Sequence, residues 1–269
     1  MRIAFVGGGN MARAIIGGLV AKGARASDIV VAEIDAAARA RLAEMGAAVV
    51  EAPGPALAPA AVAVLAVKPQ QMREAAAAAA PHLAGALVVS IAAGIRLADL
   101  SRWMGARRRL VRAMPNTPAL VHAGITGLYA PGDVGAEDRR AAGDLLAAVG
   151  QTLWFEREED LDAVTAVSGS GPAYVFYAIE SLEQAARELG IAPQAARALA
   201  LATFAGAARL AVERGEEPAK LREQVTSKGG TTERALQVLE AGEVKARFVE
   251  AVKAACERSR ELGEALGRQ

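Results

Sequence analysis

Two short stretches carry residues that could hold an anion. The first is "IAFVGGGNMARAIIGGL", Ile3 to Leu19. Gly7, Gly9 and Ala12 fall in a G-x-G-x-x-A arrangement, after an apolar strand-like run and before a helical pattern. In that context Gly7 makes a tight turn, Gly9 lets the backbone approach a pyrophosphate, and Ala12 lets helix and strand pack closely. Asn10, Met11 and Ala12 open the helix, whose free N–H groups and positive dipole end attract phosphates. Glu33 closes the next strand-like run, 21 residues after Ala12, near the spacing at which an acid receives the adenosine ribose hydroxyls. The expected ligand is therefore NADPH or NADH. Glu33 would repel a ribose 2′-phosphate, and Arg39 and Arg41 just downstream could offset that repulsion.

The second stretch is "VTSKGGTTERAL", Val225 to Leu236. Gly229 and Gly230 read as a turn, and Thr231 or Thr232 as the N-cap of a helix with Glu233 in its first turn. A capped helix–turn–helix would account for these residues. Glycine and threonine together also leave a cluster of outward donors with no capping acid before them, which points to a second anion. Between the two stretches, "LAVKPQ" ends a strand-like run, so Ala66, Val67, Lys68 and Pro69 are expected to line the cofactor. Lys68 either reaches the cofactor or extends into water. "SIAAG", which includes Ala93, and "MPNTPALVHAG" end the next two strands in the same way. Asn116 either holds the nicotinamide ribose or amide, or forms an Asx turn with its own backbone.

The elements that must position these residues are legible in the apolar pattern. Strand-like runs at Ile3–Val6, Ile29–Glu33, Ala47–Val50, Val62–Val67, Leu87–Ile91 and Leu110–Met114 alternate with helical segments. Two weaker runs follow at Ile125–Tyr129 and Thr152–Phe155. Such alternation predicts βαβ units and a mostly parallel sheet. After "EREED" the strand signals stop and apolar residues recur at helical spacing from Leu161 onward. The fold class is thus α/β. The expected division is a dinucleotide-binding domain over 1–160 and an all-helical domain over 161–269, part of whose apolar surface would meet a second subunit.

Composition narrows the field. With 53% hydrophobic and 23% charged residues the chain can bury a substantial core. A net charge of +1 gives no electrostatic footprint for nucleic acid, and the basic run "ARRRLVR" reads as a solvated loop and strand edge. His82 and His122 stand far apart without a Cys or acidic cluster, so no metal is expected. One cysteine, Cys256, excludes a disulfide framework and fits a reducing cytoplasm. No apolar run reads as long and pure enough to span a bilayer, and no signal peptide is expected, so no membrane partner is foreseen.

The stretches "FVGGGNMA", "AVKP", "VVSIAAG", "MPNTP", "SGSGPAYVF" and, most specifically, "TSKGGTTERALQVLE" resemble pyrroline-5-carboxylate reductases, nearly end to end. The resemblance implies a Rossmann domain followed by a helical dimerisation domain. It implies reduction of 1-pyrroline-5-carboxylate to L-proline by NAD(P)H, the last step of proline synthesis. It also implies an interlocked homodimer and further assembly into a ring of dimers; in an interlocked pair the second cradle would serve the partner's Rossmann domain. The family's substrate loop falls on Gly230, Thr231 and Thr232, with Thr232 at the substrate ring nitrogen. Glu33 departs from the family, many members of which carry a short polar residue there, and Pro53 stands near the place of a frequent asparagine. A β-hydroxyacid dehydrogenase would share the layout but needs a lysine on the first long helix, and "SGSGPAYVFYAIESLEQAARELG" has none. A non-catalytic NADP sensor would have no use for the second anion loop.

Overall fold

The structure is a computed structural model and describes residues 1–268. Two compact units are present: Met1–Ser170 together with the chain from Ala255 onward, and Gly171–Ala254.

The first unit is built on one eight-stranded sheet of order β3-β2-β1-β4-β5-β6-β7-β8. The strands are β1 (Ile3–Val6), β2 (Ile29–Ala32), β3 (Ala48–Val50), β4 (Val62–Leu65), β5 (Leu87–Ser90), β6 (Leu110–Met114), β7 (Gly124–Tyr129) and β8 (Gly150–Trp154). All neighbours run parallel except β6 and β7. Helices cover both faces, so the central strands are apolar on both. Phe5, Val62, Val64 and Val89 point to one core with Ile15 and Ile16 of α1 (Asn10–Ala21) and Leu145 and Leu146 of α5 (Ala136–Leu146). Ala4, Val6, Ala63, Leu65 and Val88 alternate to the other face. There they meet Met72 and Ala76 of α3 (Met72–Ala79) and Leu100 of α4 (Leu97–Trp103). Each large side chain so buried contributes roughly 1.5–3 kcal/mol. On the α1 face lies also α2 (Ala36–Glu44), whose Leu42 joins that core and which starts at Asp35, whose carboxylate accepts from the Ala38 N–H at 2.7 Å.

Chain order reverses between β1 and β4, because β1 continues outward through β2 and β3 while β4 and β5 lie on its other side. The ends of β1 and β4 therefore flank the crevice where ligands bind in such sheets.

Beyond β8 the chain enters α6 (Asp160–Val164), a π-helical turn at Thr165–Gly169, and α7 (Gly171–Glu188). In the second unit α7 is followed by α8 (Pro193–Arg214), α9 (Pro218–Gln224), α10 (Thr231–Ala241) and α11 (Val244–Gly267), which continues into the first unit. Tyr174 and Phe248 meet edge to face at 5.6 Å. Few large side chains of this unit are covered: Phe176 is 65% and Val212 76% exposed. The absence of any bilayer-length apolar segment does not hold for α8. Its 22 residues have a mean hydropathy of 1.4, enough by length and composition to cross a membrane. Alanine supplies much of that apolarity, and charged residues cluster toward its last two turns.

The basic run is also not simply solvated. Arg108 and Arg109 do pair with Asp133 and Asp138 at the surface. Arg112, however, is 3% exposed on β6. Its guanidinium lies 3.3 Å from Glu158 and 3.6 Å from Asp162, and Ser259 of α11 donates to Asp162 at 2.8 Å. A charge that deep is stable only when paired.

Candidate active site

The turn after β1 is shaped by three glycines with three different reasons. Gly7 has φ +95°, and a Cβ there would lie 2.8 Å from the Ala66 carbonyl carbon and oxygen. Only glycine lets the ends of β1 and β4 close in this way. A Cβ on Gly8 would overlap Leu42 Cδ1. Gly9 is the N-cap of α1, with no side-chain cap and no acid in the helix's first turn, and a Cβ on it would meet nothing within 4 Å. Space, free N–H groups and a positive helix end therefore coincide, as a pyrophosphate requires. Ala12 is buried against the sheet and Met11 packs beside it. Asn10 accepts a hydrogen bond from Arg13.

Glu33 is brought to the same turn. Its Oε2 accepts from the Gly8 N–H at 2.6 Å and its Oε1 from the Asp35 N–H at 2.7 Å. Ala66 and Val67 are half-buried beyond β4, Lys68 is exposed and Pro69 starts a short 3₁₀ turn. Ala93 lies half-buried in the loop after β5, next to Gly94 at φ +76°. These residues together line the strand ends on either side of the reversal in chain order.

Asn116 has a different surrounding. It is 9% exposed, its Oδ1 accepts from the Ile125 N–H at 2.9 Å, and its Nδ2 donates to the Ser168 carbonyl at 3.1 Å. Its amide thus ties the β6–β7 loop to the π turn, a contact to residues 9 and 52 positions away that local turn chemistry does not announce.

The second cradle lies in the second unit. Gly229 adopts φ +75°, and the N-cap of α10 is Gly230, with no side-chain cap. The expected threonine N-cap is corrected: Thr231 begins the helix and Thr232 is its second residue. The Arg234 N–H, bonded to the Gly230 carbonyl at 3.2 Å, is the first satisfied by the helix. The N–H groups of Thr231 and Thr232 precede it and find no acceptor within the helix. Glu233 turns back to accept from the Gly229 N–H at 2.7 Å, holding the turn open. Among the described residues no group of His, Cys, Asp and Glu side chains could hold a metal ion.

Comparison with known proteins gives the family. A sequence model described as pyrroline-5-carboxylate reductase dimerisation matches residues 158–262. One described as NADP oxidoreductase, coenzyme F420-dependent, matches residues 2–94. A curated pyrroline-5-carboxylate reductase of Pseudomonas aeruginosa is 48% identical, covering 99% of this chain and 98% of its own length. This chain belongs to the pyrroline-5-carboxylate reductase family. The Pasteurella multocida reductase is 42% identical over 97% of each chain. Among solved structures, the Coxiella burnetii reductase matches with a TM-score of 0.91 and 39% identity over 97% of this chain and 98% of its own. A Plasmodium falciparum pyrroline carboxylate reductase with NADP bound gives 0.86 and 27% over 98% of each. The Rossmann-like sheet followed by helices is the fold of this reductase family.

Proposed function

We propose that the chain reduces 1-pyrroline-5-carboxylate to L-proline with NAD(P)H, closing proline synthesis in the cytoplasm. The observation that carries this reading is the near-full-length match to curated reductases of that name. The two anion cradles give it a physical basis, since the reaction needs one site for a pyrophosphate and one for a carboxylate.

The substrate is a cyclic imine bearing a carboxylate. Gly7, Gly9 and the first turn of α1 hold the dinucleotide's phosphates, with Ala66–Pro69 and Ala93 along its path. When bound, the nicotinamide supplies the hydride. The free N–H groups of Thr231 and Thr232 take the substrate carboxylate. The Thr232 hydroxyl meets the ring nitrogen, whose π electrons become a lone pair as the carbon–hydrogen bond forms. The protonated iminium is already electrophilic, so no strong general acid is required of a site that contains no histidine. The reacting atoms must come within about 3–3.5 Å.

The apolar residues left uncovered on α7 and α8 have the chemistry of a subunit interface, and the dimerisation match spans both helices. The functional form is therefore proposed to be a homodimer, which places the α8 face against a second copy and not in a bilayer. Rings of such dimers extend the same proposal.

Thr232→Val tests the assignment. Losing a hydrogen bond to a charged group costs about 1.5–3 kcal/mol, so kcat/KM should fall roughly ten- to a hundredfold while NADH affinity holds. An unchanged kcat/KM removes Thr232 from the mechanism. Proline-dependent reduction of NAD(P)⁺ at high pH tests the reaction itself, and activity on hydroxyacids with none on proline would overturn it.

A further inference from the structure

We infer that Glu33 makes the adenosine end of the cofactor site selective for an unphosphorylated ribose, so that this chain prefers NADH to NADPH. The inference rests on the dinucleotide reading of the glycine turn and adds the identity of its ligand.

Glu33 cannot swing away from that site at little cost. Both carboxylate oxygens are held by backbone donors, Oε2 by Gly8 at 2.6 Å and Oε1 by Asp35 at 2.7 Å. The side chain is thus part of the glycine turn and keeps its charge at the mouth of the crevice. An ionised carboxylate offers about four acceptor positions, and two are filled. The other two can receive the vicinal hydroxyls of a ribose, each of which brings a proton. A 2′-phosphate brings a charge of about −1.5 to −2 and only acceptor oxygens. Its negative charge would face the fixed Glu33 carboxylate.

Arg39, the basic side chain beside Glu33, is already tied to the backbone there. Arg39 spends its Nη1 on the carbonyls of Glu33 and Ile34, both at 2.8 Å, and its Nη2 lies 3.9 Å from Glu51. Its guanidinium therefore braces the strand end on which Glu33 stands. Arg41 is in the last turn of α2, six residues beyond the Asp35 cap, about 9 Å further along the axis.

The test uses ADP-ribose and 2′-phospho-ADP-ribose, which report on the adenosine end without catalysis. Calorimetric titration of the wild-type protein should show ADP-ribose bound about tenfold tighter or more, the scale of one uncompensated like-charge contact. In Glu33→Gln, which keeps an acceptor oxygen but removes the charge, the two ligands should bind within about threefold of one another. Arg39→Ala should weaken both ligands alike. Equal or tighter binding of the 2′-phosphorylated ligand by the wild type would overturn the inference. So would an Arg39→Ala variant that loses only that ligand. If neither ligand binds, the dinucleotide reading itself fails. The wild-type comparison stands even where a variant does not fold.

Discussion

Gly9→Ala should leave the fold nearly intact and cripple dinucleotide binding. Gly9 sits at φ −65° and ψ −172°, which alanine adopts freely, and a methyl there meets no protein atom within 4 Å. The expected stability loss is only the poorer capping by alanine, about 0.5–1 kcal/mol. The same open space is where phosphate oxygens approach the first N–H groups of α1. A methyl group in it lengthens or breaks one or two charge-assisted hydrogen bonds, each contributing about 1.5–3 kcal/mol. The dissociation constant for NADH should rise roughly ten- to ten-thousandfold. Gly7→Ala is the contrasting variant. Its φ of +95° and its 2.8 Å approach to the Ala66 carbonyl combine backbone strain with displaced main chain, for a loss of about 2 kcal/mol or more. Denaturant unfolding and calorimetric titration of NADH read the two quantities separately. NADH affinity in Gly9→Ala within twofold of wild type, or a Gly7→Ala protein as stable as wild type, would refute the reasoning.

Asp162→Asn should destabilise the first unit by about 2–4 kcal/mol, because it leaves the buried Arg112 with one partly exposed carboxylate; urea unfolding checks this, and a loss under about 1 kcal/mol would count against the pairing. The Arg109 guanidinium hydrogen-bonded to Asp138 holds that carboxyl below its usual range. A lowered folded value means the pair stabilises above the unfolded-state value near 3.9 and is lost as pH falls through the folded value. Asp138→Asn should therefore be less stable near pH 7 and show a shallower loss as pH falls below about 4, measured by denaturant titration across the acid range. Val212→Glu, on the uncovered part of α8, should shift the sedimentation coefficient from dimer toward monomer. An unchanged oligomer would remove that part of α8 from the interface.

The parallel strands were legible because burial on both faces forces apolar runs such as "VAVLAV" and "ALVVSI", and the observed strands begin and end within two residues of the runs. Both glycine turns could be read because each needs a residue type that few other contexts demand. Glu33 was visible by spacing, but its second task, holding the Gly8 N–H, was not, since a spacing carries no direction for a side chain. Arg112 was hidden in a basic run because its partners, Glu158 and Asp162, are 46 and 50 positions away. Asn116 read either as a nicotinamide ligand or as an Asx-turn residue, and its tie to the Ser168 carbonyl, 52 positions away, was hidden for the same reason. The threonine cap failed for a local reason. Gly230 can take the extended cap conformation itself, which moves the helix start one or two residues earlier.

The chain from Ala255 onward sets an order on folding. Leu266 is buried in the apolar layer beneath α3 and α4, and Ser259 closes on Asp162 across 97 positions. The sheet can form as its strands leave the ribosome, but one edge of that layer stays open until the last helix has been made. Long-range closure of this kind slows the final step more than it alters the end state. A nascent chain stalled before Ala255 would show the ribosome-bound cell an incomplete apolar seam, of the kind chaperones recognise.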